Sequence, residues 1–329
     1  MESQRSRIHK ANWLAPKVTP MSEFVLAIDG GGSKTLALLQ NLSTGQTWQQ
    51  RAGGSSLTID FDSACKTIIE LATNLAVQAA VVPKSVVLVC GVAGAGNDKR
   101  RIQLENQLKA IFKDALVVND GKTSLYGAGG GAPVVVVALG TGSVAMRLDQ
   151  NGQKKQFGGW GFTASDGGSG ANIGRKIVKE TLFAFDRMDD EVIAFCRSDK
   201  KIDPLVSACL DVIGYDSQTI LDWLNQATAS AYATLAPLVF KHRDTSPLAS
   251  TIIDKTLEEV KALIDLAQPE EQLPVVVIGG VADALIPDIA STFDYKIKQA
   301  KGDSLDGALH LAKIMVNFRD KSAFYDESI

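Results

Sequence analysis

Five stretches of the chain combine residue types that could handle phosphate, a metal ion and a polyhydroxylated ligand. The first is Asp29-Gly30-Gly31-Gly32-Ser33-Lys34-Thr35, directly after the apolar run 24–28. Glycines let successive backbone N–H groups turn toward an anion, and Ser33 and Thr35 add hydroxyl donors. Asp29, at a strand end, is placed to hold a magnesium ion through water. This is no Walker A loop: the only Gly-Lys pair is Gly121-Lys122, and Leu116 stands where a glycine would be needed. A ligand-free β-turn competes, although three consecutive glycines are entropically expensive. Gly140-Thr141-Gly142-Ser143 is a second turn of the same kind after 134–139. The third stretch is Asp120, preceded by Asn119; a carboxylate at a strand end can take a proton from a substrate hydroxyl, or cap a helix starting near Lys122.

The fourth runs through Gly158-Gly159-Trp160-Gly161 to Ser165-Asp166-Gly167-Gly168-Ser169-Gly170. Trp160 offers an aromatic face to ring C–H groups and Asp166 an acceptor for hydroxyls, which suits a polyol. The alternatives are a core tryptophan and a helix cap. The fifth, Gly279-Gly280-Val281-Ala282, would let a flat base approach the backbone, or is a simple turn. His9, His242 and His310 sit in no ligand cluster.

Short apolar runs alternating with helical spacing must position these groups, which argues an α/β fold. Strands are expected at 24–28, 36–39 and 47–51, a helix at 64–79, a strand at 86–89, a helix at 99–112 and a strand at 115–118. The pattern then repeats, with strands at 134–139, 144–148 and 154–157. Ser33 and Ser143 are 110 positions apart and the turn glycines Gly45 and Gly152 are 107 apart, which points to a duplicated unit. Two opposed glycine hairpins could then grip a polyphosphate. Beyond Ser169 the chain reads as mainly helical up to a strand at 275–278. Gly127–Ala132 fits G-x-G-x-x-A but precedes a strand, so it reads as a hinge near 127–133 and not as a dinucleotide site.

Composition narrows the partners. The 329 residues are 45% apolar and 22% charged, with net charge −3, so no basic excess favours nucleic acid. Apolar runs are far below the roughly 18 residues that span a bilayer. Cysteines at 65, 90, 196 and 209 form no C-x-x-C pair, which points to a reduced, cytoplasmic protein without a disulfide framework. Residues 1–22 carry Arg5, Arg7, Lys10 and Lys17 but no apolar core. They read as a disordered, dispensable leader and not as a secretory signal.

The order of these elements resembles the sugar kinase, heat-shock-protein and actin superfamily of ATPases. Within it the chain is similar to the N-acetylglucosamine and glucosamine kinases of the BadF/BadG/BcrA/BcrD ATPase family. The resemblance spans about residues 23–313 and rests on IDGGGSKT (28–35), GVAGAG (91–96), NDG (119–121), ALGTGS (138–143), GGWG (158–161), SDGGSGANIG (165–174), VIGGVA (277–282) and DSLDGAL (303–309). It implies a duplicated, two-domain actin-like (ribonuclease H-like) fold with a cleft between the domains. Residues 23–129, completed by a C-terminal helix 306–320, would form one domain, and 130–305 the other with a helical insertion.

The resemblance also implies ATP-dependent phosphorylation of the 6-hydroxyl of N-acetylglucosamine or glucosamine, with Mg2+ as cofactor and a homodimer as an allowed assembly. Asp120 becomes the general base and Asp29 the magnesium-associated carboxylate. Gly31, Gly32, Ser33, Lys34 and Thr35, then Gly140, Thr141, Gly142 and Ser143, become the phosphate loops, with Gly279 and Gly280 beside the adenosine. Ser55, Ser56, Asn119, Asp120, Gly159, Trp160 and Asp166 would contact the sugar. One departure stands out: Gly54-Ser55-Ser56-Leu57 carries leucine where many relatives have a sugar-contacting asparagine. The same loops in a different class, the activator ATPases of 2-hydroxyacyl-CoA dehydratases, serve an iron–sulfur electron transfer that needs grouped cysteines.

Overall fold

A computed structural model describes residues 23–188 and 202–317. The expected leader 1–22, Cys196 and residues 318–320 of the expected last helix lie outside them. In the first sheet β1 (Phe24–Gly30) is central, flanked on one side by antiparallel β2 (Thr35–Asn41) and β3 (Thr47–Ala52). On its other side parallel β4 (Val86–Val92) and β5 (Asp114–Val118) complete the order β3-β2-β1-β4-β5.

Continuous apolar runs suit β1 and β4 because helices cover both faces of the sheet. Leu26, Ile28, Leu88 and Cys90 pack under α1 (Phe61–Gln78) and α2 (Asp98–Ile111). Val25, Ala27, Val87 and Val89 alternate to the other face and meet Ala308, Leu311 and Ala312 of the last described helix, α11 (Ser304–Asn317).

The second sheet repeats the plan. Central β6 (Val134–Leu139) pairs antiparallel with β7 (Ser143–Leu148), which pairs with β8 (Lys154–Gly158). Parallel β9 (Val275–Ile278) and the short β10 (Ile297–Lys298) lie on the other side. The order β8-β7-β6-β9-β10 matches β3-β2-β1-β4-β5 strand for strand, so the duplication expected from two glycine turns is the architecture of the sheets. Gly45 and Gly152 both adopt left-handed φ, +76° and +77°, at the corresponding hairpin tips. Helices α4 (Gly170–Phe185), α5 (Pro204–Ile213), α6 (Ser217–Gln226), α7 (Ala229–Ala233), α8 (Ala236–Lys241), α9 (Pro247–Ala267) and α10 (Ala282–Thr292) belong to this half.

One expectation is corrected. Residues 127–129, read as the start of a hinge loop, are the last turn of α3 (Asp120–Gly129), which ends on left-handed Gly130. Small residues there serve packing: Gly127 abuts the Asp303 carbonyl and Gly307 abuts the Thr123 carbonyl, so α3 and α11 cross backbone to backbone. No helix among the described residues is long and apolar enough to cross a membrane.

Candidate active site

A cavity of about 450 Å³ lies between the two sheets. Asn119, Asp120 and Gly121 at the head of α3 contribute one wall, with Gly94 and Gly96 after β4. Gly142, Val144, Gln156, Gly159 and Asp166 contribute the opposite one. The competition for the helix cap is resolved by geometry. The Asn119 side chain accepts from the Lys122 N–H at 2.8 Å, while Asp120 is the first helical residue and exposed. Its Oδ1 accepts from the adjacent Gly121 N–H, at 3.1 Å. The cap reading therefore belongs to Asn119, and Asp120 is available to the cavity.

Asp166 is buried and held in a left-handed conformation at φ +63°, uncommon outside glycine although aspartate is among the residues that tolerate it. Its Oδ1 accepts from the Gly161 N–H at 3.2 Å. It does not cap α4: Ser169 does, accepting from the Asn172 N–H. The Asp166 carboxylate sits against Gly142, where any side chain would collide with Oδ2.

The second glycine turn is anchored on the start of α4. Gly170 N–H donates to the Gly140 carbonyl at 2.8 Å and Ala171 N–H to the Thr141 carbonyl at 3.1 Å. The Ser143 hydroxyl donates to the Gly167 carbonyl at 2.7 Å, which ties it to the Asp166 loop. Thr141 remains exposed. In the first turn Gly32, Ser33 and Lys34 are exposed, and Gly31 N–H bonds the Lys34 carbonyl. Thr35 is fully buried, and its hydroxyl lies within hydrogen-bond distance of the Gly53 carbonyl (2.6 Å) and Ser55 Oγ (2.8 Å). Thr35 and Ser55 thus brace the loop from beneath.

Neither Ser55 nor Ser56 lines the cavity, and Leu57 is fully buried in the first core with its N–H on the Ala93 carbonyl. Trp160 is 85% exposed, which overturns the core alternative, and it stands outside the cavity wall, flanked by left-handed Gly159 and Gly161. Gly279, at φ +107°, packs on the Leu139 carbonyl beside the second glycine turn; Gly280 is open to solvent.

Burial pushes the Asp29 carboxyl above its usual range; the charges of Asp303 and Asp120 add to this and Lys34 opposes it. A half-buried carboxylate among like charges suits a divalent cation. Among the described residues no three carboxylate, histidine or cysteine groups converge to chelate one directly. Beneath Asp29, burial foremost and then the Asp29 charge keep the Cys90 thiol protonated.

Three contributors escape a reading of the sequence. Met146 and Gln156 face each other across β7 and β8 and both line the cavity. The Asn151-Gly152 turn gives their register, but which face meets the cleft depends on the other half of the molecule. Glu259, 91 positions from the glycine it holds, gives no local signal.

The sequence profile of the BadF/BadG/BcrA/BcrD ATPase family matches residues 26–309. Glucosamine kinase GspK of Vibrio cholerae is 22% identical over 295 residues, covering 88% of this chain and 95% of the relative. N-acetyl-D-glucosamine kinase of Dictyostelium discoideum is 23% identical, with 78% and 85% covered. The crystal structure of a candidate N-acetylglucosamine kinase from Chromobacterium violaceum superposes with TM-score 0.74 at 28% identity, covering 89% of this chain and all of that one.

Proposed function

The chain belongs to the BadF/BadG/BcrA/BcrD ATPase family, and we propose that it is an amino-sugar kinase that transfers the γ-phosphate of ATP to the 6-hydroxyl of N-acetylglucosamine, with glucosamine the alternative acceptor. The names of its relatives support the substrate class. The observation that carries the reading is Asp120: an exposed carboxylate, relieved of capping by Asn119, on a cavity whose far wall holds Asp166 and the second glycine turn.

Asp120 takes the proton of the sugar hydroxyl as that oxygen forms its bond to the γ-phosphorus; the β–γ bridging bond breaks and its electrons leave on ADP. Asp166 orients neighbouring hydroxyls, and Trp160 covers the ring once the sugar is bound. Backbone N–H groups of Gly32–Lys34 and of Thr141 and Gly142, with the exposed Ser33 and Thr141 hydroxyls, hold the phosphates, while the Gly31 and Gly140 amides close the two turns on the Lys34 and Gly142 carbonyls. Gly279 and Gly280 border the nucleoside. Asp29 would hold magnesium through water; when bound, that ion neutralises charge on the polyphosphate.

Two lobes, 23–129 with the last helix and 130–305, would close on the substrates to exclude water. The same reading has the enzyme working in the cytoplasm. The activator-ATPase alternative gains nothing from the cysteines among the described residues: Cys65 and Cys90 lie in the first core and Cys209 in the second, all buried.

The test is a panel of N-acetylglucosamine, glucosamine, N-acetylmannosamine and glucose with ATP and Mg2+, followed by ADP release and product NMR. Phosphate on the 6-oxygen of an amino sugar is expected. Absence of turnover on both glucosamine derivatives would refute the proposal.

A further inference from the structure

The loop that presents Asp166 is held from behind by a residue far away in sequence. Glu259, on α9, accepts through Oε2 from the Gly168 N–H at 2.8 Å and from the Lys176 ammonium at 2.5 Å. Lys176 projects from α4, the helix that the loop leads into, so one carboxylate oxygen ties α9, α4 and the loop together. Burial of Lys176 draws its pKa down, and the hydrogen bond to Glu259 opposes this.

The loop has little freedom to do without this anchor. Gly168 sits at φ +81° on the 259–260 step of α9, with Val260 filling the space a side chain would take. Gly167 lies against the Glu259 methylenes. Asp166 itself is in the left-handed region, which aspartate adopts far less often than the extended or helical regions and which the surrounding contacts must favour. The neighbouring bonds, Gly161 N–H to Asp166 Oδ1 and Ser143 Oγ–H to the Gly167 carbonyl, depend on that loop path.

We propose that Glu259 is a positioning residue for sugar phosphorylation: by holding the Gly168 N–H, it keeps Asp166 in the conformation that faces the cavity. Glu259 does not line that cavity, so its effect on the sugar is exerted through the loop. The inference rests on the amino-sugar kinase reading for its substrate, but not for the hold itself.

Two variants of the full chain test it. Glu259→Ala removes the acceptor; Glu259→Gln keeps a carbonyl oxygen in the same place without the charge. The Ala variant is expected to raise the sugar KM by about 10-fold or more, as loss of a charge-assisted bond implies, with the ATP KM within about 3-fold. The Gln variant is expected to recover most of the sugar KM. Hydrogen exchange by mass spectrometry gives a readout independent of turnover. The peptide spanning 158–170, which contains the Gly161 and Gly168 amides, should lose protection in the Ala variant and regain it in the Gln variant.

Unchanged exchange in that peptide, or a sugar KM within 2-fold of wild type in the Ala variant despite a lowered Tm, overturns the proposal. So does a Gln variant as impaired as the Ala variant. A wild-type protein that phosphorylates neither amino sugar refutes the kinase reading instead, and the exchange data still decide whether Glu259 holds the loop.

Discussion

Replacing Gly127 with alanine should separate the two helices that meet behind the cavity. An added Cβ there would lie 1.8 Å from the Asp303 carbonyl oxygen and 2.7 Å from its carbon, and real Cβ contacts essentially never fall below 3.0 Å. The partner is backbone, so α3 and α11 must part by at least 1.2 Å, from 1.8 to 3.0 Å. Overpacking of this kind costs about 1–3 kcal/mol, and at roughly 2–4 °C per kcal/mol the Tm should fall by about 2–12 °C. The catalytic penalty should be larger. α3 carries Asp120 at its head and Asp303 immediately precedes α11, so the shift moves the base relative to Asp29 and the phosphates. A misplacement of about 1 Å can lower turnover by about 100-fold. Gly53→Ala is the control, because the space around that residue is open. The assay pairs thermal melting with steady-state kinetics on N-acetylglucosamine. A Gly127→Ala protein with wild-type Tm and kcat would show that the helix crossing neither limits packing nor sets the position of Asp120.

The remaining predictions concern the carboxylates. Asp120→Asn should lower kcat by about 10²–10⁴-fold while nucleotide binding by calorimetry stays near wild type; more than a tenth of the wild-type kcat would count against a base role. Asp166→Asn keeps an oxygen for the Gly161 N–H and tolerates the left-handed backbone, so it isolates the charge: a raised sugar KM and lower kcat are expected, with little change in ATP KM, and normal sugar kinetics would remove Asp166 from the sugar site. Burial and the charges of Asp303 and Asp120 raise the Asp29 pKa, so the folded state holds that proton more tightly than the unfolded chain does. The stability this contributes is present at low pH and is lost as pH rises through the folded-state pKa. Asp29→Asn should therefore melt higher than wild type at neutral pH, with the gap closing below pH 4, and should lose the magnesium-dependent part of ATP binding; a gap that widens on acidification would refute the sign.

Much of the architecture is legible without coordinates, because it rests on local signals. Apolar runs at 134–139 and 275–278 can satisfy their side chains only between two covered faces, and they are strands with those bounds. Glycines at 45 and 152 mark left-handed hairpin tips, and the two matching turns disclose a duplicated plan. Asp29, Asp120 and Asp166 stand out as carboxylates beside glycine turns, although a helix cap competes at Asp120 and Asp166 in the sequence alone.

What the sequence leaves undecided is direction and long-range company. Asn119 and Asp120 are both competent caps, and the hydrogen-bond geometry at Lys122 chooses between them. Thr35 and Ser55 carry the same hydroxyls as Ser33 and Thr141, yet packing against Gly53 and Gly30 turns them inward to brace the first turn. Trp160 could face a ligand or fill a core by its sequence context, and it stands in solvent. Gly127 resembles a hinge until α11, arriving from the other end of the chain, requires a residue without a side chain. Glu259 acts 91 positions away from Gly168. Turn chemistry and hydrophobic period are properties of neighbouring residues, so they are written in the chain. Which side chain faces a cleft depends on distant segments packing at van der Waals contact, and only the folded molecule brings those together.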